Sequence, residues 1–205
     1  MKNITDITIT IFVLPILLVI IPIIYLFILI SDGYPAIYKQ ERVGRNGKIF
    51  ILYKFRTMDY SSDEYIHEEH YKKLTKEQTV EPSLTPGNPI RIENDDRITK
   101  IGQFLRKTSL DELPNLFNVL SGEMSIVGPR PLVKYESDLL GAYQSQRHSV
   151  KPGITGLAQI QGRLDLSLQE RLYWDLEYVN KYNLVLDLKI IFQTIMSVIS
   201  RKGAN

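Results

Sequence analysis

The sequence predicts an α+β, membrane-associated protein: a hydrophobic N-terminal helix followed by a small, mainly helical body that carries a β-hairpin. Three observations lead there. From Ile7 to Ser31 there are 25 residues without one Asp, Glu, Lys, Arg or His. Asn46-Gly47 sits between two runs of strand-forming residues. Further along, apolar residues recur at helical spacing, as in Leu113, Leu116, Phe117 and Leu120.

Composition narrows the function classes. The 205-residue chain is 44% hydrophobic and 23% charged, close to globular averages, which excludes wholesale disorder. Its 25 basic and 23 acidic residues nearly cancel, so no nucleic-acid partner is expected. The absence of cysteine excludes disulfides, thiolate catalysis and Cys-based metal sites. With three histidines, His67, His70 and His148, a His-rich metal centre is not expected either.

Ile11 to Ile30 is an apolar run of 20 residues. A helix of that length spans about 30 Å, the thickness of the hydrocarbon core. The run is too long for a cleaved signal core, and Ile30-Ser31-Asp32-Gly33 offers no convincing cleavage site, so the segment is expected to stay attached. Pro15 and Pro22 each remove a helical N–H. Two readings stay open on pattern alone: a kinked single-pass helix, or a re-entrant helix that breaks at proline and returns to the face it entered. Lys39, Arg42, Arg45, Lys48, Lys54 and Arg56 follow the run and place the body in the cytoplasm.

Ile37 to Phe55 reads as a β-hairpin, because Asn46-Gly47 supplies the φ > 0 turn. Asp59 to Asn94 is polar and Pro-rich in its second half; it reads as a surface helix near 64–75 and then an irregular loop. His67 and His70 lie there at i,i+3, a spacing that can hold a metal but more often marks a solvated helix face. Ile98–Lys107 and the segment from Leu113 read as two short helices, the second ended by Ser121-Gly122. Gly128-Pro129-Arg130-Pro131 and Pro152-Gly153-Ile154-Thr155-Gly156 read as turns outside regular structure. Helices are expected from Leu166 to Tyr182 and from Leu184 to Ser200. The second has a polar stripe of Lys189, Gln193, Ser197 and Ser200 on an otherwise apolar body, which suits partial contact with the membrane interface.

The residues with the most chemistry are Asp111-Glu112. Pro114 belongs in the first turn of the following helix, which puts Asp111 at or beside the N-cap. Asp is a favoured N-cap residue, so a purely structural role accounts for it as well. The functional reading is an acidic dyad near Arg106, Lys107 and Arg130. An ionised carboxylate there binds a divalent cation or attacks an electrophilic phosphorus. Arg130 lies between two prolines that fix its backbone, which suits phosphate binding; the bland alternative is an Arg that ties a loop to a buried acid. No G-x-G-x-x-G, Walker-type loop or G-x-S-x-G is present, so Rossmann, P-loop and serine-hydrolase readings fail.

Six segments in this order resemble one family: Gln40-Glu41-Arg42-Val43-Gly44-Arg45-Asn46-Gly47, Tyr53-Lys54-Phe55-Arg56-Thr57-Met58, Asp96-Arg97-Ile98-Thr99-Lys100-Ile101-Gly102, Leu105-Arg106-Lys107-Thr108-Ser109-Leu110-Asp111-Glu112-Leu113-Pro114, Val127-Gly128-Pro129-Arg130-Pro131 and Pro152-Gly153-Ile154-Thr155-Gly156-Leu157-Ala158-Gln159. Together they resemble the small monotopic phosphoglycosyl transferases, the bacterial sugar transferases. The resemblance implies residues 1–32 as a re-entrant membrane helix broken at Pro22, with Pro15 as a rival. It implies residues 33–205 as a cytoplasmic catalytic domain on the bacterial inner membrane, ending in an interfacial helix.

It further implies transfer of a sugar phosphate from a UDP-sugar to polyprenyl (undecaprenyl) phosphate through a covalent aspartyl-phosphosugar, releasing UMP and initiating exopolysaccharide or other glycoconjugate assembly. Asp111 matches the nucleophile and metal-binding residue, Glu112 its dyad partner, and Mg²⁺ is the implied metal. Lys54, Arg106, Arg130, Gln159, Arg163, Asp175 and Asp187 match motif positions assigned to substrate binding. Beyond UDP-sugar, polyprenyl phosphate and the phospholipid membrane, a homodimer and contacts with other glycan-assembly enzymes stay open. Where family members often carry Ser-Pro at the break, this chain has Ile21-Pro22. The competing class is a catalytically inactive, membrane-anchored scaffold of a glycan assembly complex. The intact Asp111-Glu112 pair separates the two, because a scaffold needs no acidic pair.

Overall fold

The computed structural model describes residues 2–60, 65–75, 80–84, 87, 89–90, 95–162 and 165–200, with the side chains of 65–67 and 75 left aside. The first element, α1 (Lys2–Asp32), is a continuous helix through both Pro15 and Pro22. The break expected at Pro22 is not seen: the helix continues through it, lacking only the N–H groups that the prolines remove. The buried residues of α1 are Asp6, Thr10, Leu17 and Ile28. At 3.6 residues per turn these fall within an arc of about 40°, while Pro15 and Pro22 lie nearly opposite. Both prolines are exposed. A proline opens a helix on the face it occupies, so both bend α1 toward the body rather than away from it.

Both ends of α1 are fastened to that body. Ile21, Ile24, Tyr25, Ile28 and Leu29 pack with Ala36, Phe55 and Leu105. Arg56, buried, donates to the carbonyls of Asp32 and of Gly33 (2.8 Å). At the other end, Ser125 Oγ donates to the Asp6 carboxylate at 2.8 Å and the Ile126 amide donates to it at 3.2 Å. Lys2 Nζ donates to Tyr178 OH (2.8 Å) and to the Asp187 carboxylate.

The hairpin forms as expected, β1 (Ile37–Val43) against β2 (Ile49–Phe55), antiparallel with Ile37 opposite Phe55 and Val43 opposite Ile49. Asn46 and Gly47 take positive φ (57° and 76°), as the turn requires. Then follow α2 (Tyr65–Thr75) and α3 (Lys100–Thr108), the latter capped by Thr99, whose hydroxyl accepts from the Gly102 amide at 2.9 Å. After α4 (Asn115–Leu120) comes β3 (Ser125–Val127), which pairs in parallel with β4 (Gly153–Thr155). A short sheet that was not expected thus joins the residues just before Gly128 to those inside the second turn-rich segment. A Cβ on Gly153 would meet the Gly128 amide nitrogen at 2.1 Å, so only glycine allows this approach.

Between the two strands lie α5 (Lys134–Asp138) and α6 (Gln144–Arg147), and after them α7 (Leu157–Gln161) and α8 (Leu168–Lys181). Ser167 and Glu170 form a capping box at the start of α8. The last element, α9 (Leu184–Ile199), buries only Asp187 and Ile190. Its Leu188, Phe192, Ile195 and Ile199 are exposed, as are Phe12, Leu18, Phe27 and Ile30 of α1. These large apolar side chains are left uncovered by the other described residues. The monotopic α+β architecture expected from the sequence stands.

Candidate active site

The acidic pair sits on a turn between α3 and α4. Ser109 ends α3 in the left-handed conformation (φ 55°), and Leu110–Glu112 form one 3-10 turn. Leu110 and Leu113 anchor in the apolar cluster around Phe55 and Leu105, so Asp111 and Glu112 are held between two buried flanks. Asp111 is not the N-cap expected from the sequence: Pro114 occupies that position, and no side chain caps α4. The left-handed Ser109 spends three residues on a tighter turn before the helix can begin.

The two acids have different surroundings. Glu112 Oε1 accepts from Lys54 Nζ at 2.6 Å and from Arg130 Nη1 at 3.0 Å. Burial pushes the Glu112 carboxyl up, but Lys54 and then Arg130 outweigh it and hold it at about 2. Asp111 has no hydrogen bond or ion pair among the described residues. Burial and the charge of Glu112 push its carboxyl above the ordinary aspartate value, while Lys54, Arg106 and Arg130 pull against that rise. The low, ionised carboxylate expected of the pair is therefore Glu112, and Asp111 is the more basic, unpartnered one.

Each cation is held in place. Lys54 stands near the end of β2, with burial lowering its ammonium and Glu112 opposing that. Arg106 Nε donates to Thr57 Oγ1 at 2.9 Å. α3 also presses on Thr57, where a Cβ on Gly102 would meet its carbonyl at 2.0 Å. Around Arg130 the backbone is clamped from both sides. Arg147 Nη2 donates to the Arg130 carbonyl at 2.8 Å, and Arg42 Nη1 donates to the Pro131 carbonyl at 3.1 Å. Arg147 in turn donates twice to Asp175 (2.9 and 2.6 Å), with both side chains 2% exposed. Leaving either of these charges buried alone would cost about 3–5 kcal/mol.

Lys54, Glu112, Asn115, Arg130 and Gly153 line a narrow cleft of about 10 Å³, room for about one water molecule. Among the expected site residues, Asp111, Glu112, Lys54, Arg106 and Arg130 come together. The others do not. Asp175, expected at the substrate, is sealed against Arg147 and acts on Arg130 only through it. Asp187, likewise, is taken by Lys2 and Tyr178. Gln159 Nε2 donates to the Ile154 carbonyl at 2.9 Å and supports β4. Arg163 lies outside the described residues. His70 Nε2 is 3.0 Å from the Ile90 carbonyl, which fits the ordinary surface reading, and the side chain of His67 lies outside the description.

Sequence reasoning missed Arg42, Thr57, Asn115 and Arg147. Each is legible only through long-range contacts, although buried Arg near a Pro-flanked Arg is a signal that could be sought.

Among the described residues no group of three or more His, Cys, Asp or Glu could enclose a metal. The donor set nevertheless suits Mg²⁺, which keeps most of its waters and needs one or two carboxylates plus substrate phosphates. Asp111 offers such an oxygen ligand.

A family profile described as bacterial sugar transferase matches residues 1–201. The chain is 44% identical over 175 residues to galactosyl transferase CpsE of Streptococcus agalactiae serotype III (strain NEM316), covering 85% of this chain and 37% of that protein. It is 44% identical over 182 residues to undecaprenyl-phosphate galactose phosphotransferase of Salmonella typhimurium (strain LT2), covering 88% of this chain and 37% of that protein. It is 39% identical over 203 residues to the uncharacterized sugar transferase EpsL of Bacillus subtilis (strain 168), covering 99% of this chain and 89% of that protein. The chain thus spans about 37% of the length of the first two relatives.

Proposed function

This chain belongs to the bacterial sugar transferase family, and from that premise we propose that it transfers a sugar phosphate from a UDP-sugar to polyprenyl phosphate. Asp111 supports this reading most strongly: a half-buried carboxylate raised above the ordinary aspartate value, without a partner among the described residues and near three cations, beside a second acid that already has its counter-ions. A scaffold has no use for such a group.

In the proposed first step a carboxylate oxygen of Asp111 attacks the phosphorus that bears the sugar. A new O–P bond forms, the anhydride P–O bond breaks, and UMP leaves with the electron pair. In the second step an oxygen of the lipid phosphate attacks the same phosphorus. The acyl phosphate bond breaks, the Asp111 carboxylate is regenerated, and a polyprenyl-diphospho-sugar results. Burial favours the first step, because a more basic carboxylate with little hydration to shed is the better nucleophile. Arg130 and Lys54 are positioned to offset the charge that spreads over the phosphoryl oxygens. Glu112 holds both cations in register. Mg²⁺ bound at Asp111 and the phosphates would neutralise charge and orient the anhydride.

The lipid acceptor asks for a site beside the membrane. The exposed apolar faces of α1 and α9 supply a surface that fits one. Because Lys2 and Asp6 are fastened to the same body as Ile28, the reading puts both ends of α1 on the cytoplasmic face of the inner membrane, with the helix kept whole rather than broken at proline. The deciding experiment is a panel of UDP-sugars with polyprenyl phosphate and Mg²⁺. UMP release that depends on one donor supports the reading, and no release from any donor rejects it.

A further inference from the structure

We infer that the carboxamide of Asn115 is a further substrate-contacting residue of this site, donating a hydrogen bond to the diphosphate of the nucleotide-sugar. The inference rests on the transferase reading above and goes past the charged residues that the family motifs mark.

Asn115 is 2% exposed and lines the cleft beside Glu112, Lys54 and Arg130. Its Oδ1 is sealed and has no hydrogen bond. Among the described residues the whole carboxamide is without a partner. Asn118, three residues on in the same helix, shows how this fold satisfies a buried amide. Asn118 Nδ2 donates to the Ile51 carbonyl (2.7 Å) and to Glu123 Oε2 (2.8 Å), and its Oδ1 accepts from the Tyr53 amide (3.3 Å). Two equally buried asparagines, on one short helix, thus differ completely.

A buried amide without partners is a standing cost, and an apolar residue of similar size would fill the position without it. Oδ1 is an acceptor that no phosphate can satisfy; the donor is Nδ2, which is not sealed and has no partner among the described residues, and its acceptor is expected in the ligand that enters the cleft. Everything else polar in that lining is charged, and Lys54 and Arg130 already share Glu112. A neutral amide adds a donor there without adding a charge that must be balanced. Phosphoryl oxygens, rich in lone pairs and flanked by the same two cations, are the matching acceptors.

The test uses the full chain in detergent or nanodiscs, with UDP-sugar, polyprenyl phosphate and Mg²⁺. Asn115→Ala is expected to lower kcat/KM about 100-fold, the size of effect seen when one neutral donor to a developing oxyanion is removed. Its melting temperature is expected to match or exceed that of the unaltered chain, because no protein partner is lost. Asn115→Asp has the same shape but opposes the phosphates, so it is expected to fall below Asn115→Ala.

Unaltered kinetics in Asn115→Ala, or activity lost only in proportion to folded protein, would overturn the inference. So would Asn115→Asp outperforming Asn115→Ala with a reduced Mg²⁺ requirement, which would make the residue a cation ligand. If the unaltered chain releases no UMP from any donor, the transferase reading itself fails. If it turns over normally and Asn115→Ala does too, only the inference about Asn115 fails.

Discussion

Lys54 Nζ and Glu112 Oε1 lie 2.6 Å apart, and this contact separates the roles of two adjacent acids. Lys54 is half-buried one residue before the end of β2, with its ammonium lowered by desolvation and supported by Glu112. The same Glu112 oxygen also takes Arg130. Asp111 is left without a hydrogen bond or ion pair among the described residues, near the charges of Lys54, Arg106 and Arg130.

Glu112→Gln is therefore expected to reduce kcat about a hundredfold or more while leaving measurable turnover. The amide loses the charge that holds Lys54 and Arg130 but keeps the shape. Steady-state UMP release checks this. Near-normal kcat in Glu112→Gln would remove Glu112 from the machinery.

The pH profile follows from the direction of the two carboxyl shifts. Asp111 must be ionised to attack, and its carboxyl is raised above the ordinary value of 3.8. Activity is thus expected to fall on acidification through Asp111, at a pH above that value. Glu112, held at about 2, stays ionised throughout this fall. Because the charge of Glu112 contributes to raising Asp111, the acid limb of kcat/KM is expected to move to lower pH in Glu112→Gln. An acid limb at the same pH in both proteins would contradict the assignment.

Chelation is the third check. Turnover is expected to vanish in excess EDTA and to return with Mg²⁺, because the site offers a hard oxygen ligand and the substrate two phosphates. Full activity in excess chelator would reject the metal.

Much of this site is legible in the sequence because its signals are local. Asn46-Gly47 fixes the hairpin that presents Lys54, and Asp111-Glu112 and the Pro-flanked Arg130 each stand out within a few residues. The rest depends on partners far along the chain. The β3–β4 pair joins two three-residue strands, one too short to show a pattern before Gly128-Pro129 and the other opening on Gly153 behind Pro152, where it reads as a turn. Arg147 and Asp175 look like ordinary surface charges until the fold seals them together. Asp6 precedes the apolar run as an isolated acid, and only the Ser125 and Ile126 contacts explain it. Asp111 itself was legible as a residue but not in its local geometry, because nothing in the pattern announced the left-handed Ser109.

Topology yields a fourth prediction. The chain has no cysteine, and Asn3 is exposed beside the anchored Lys2, so a single cysteine can be introduced there. In intact cells it is expected to stay protected from a membrane-impermeant reagent added outside. Labelling from outside would show a spanning helix. Pro22→Ala, compared with Pro15→Ala, is expected to convert the larger share of molecules to the spanning form.

The most direct test of the central claim is the intact mass of the protein after incubation with its UDP-sugar and Mg²⁺ but no lipid acceptor. The account predicts an increase of one sugar phosphate, mapped to Asp111, with one equivalent of UMP released. Adding polyprenyl phosphate is expected to discharge it, and Asp111→Asn is expected to form no adduct and to turn nothing over. UMP release without any adduct, or turnover by Asp111→Asn, would contradict the covalent role assigned to Asp111.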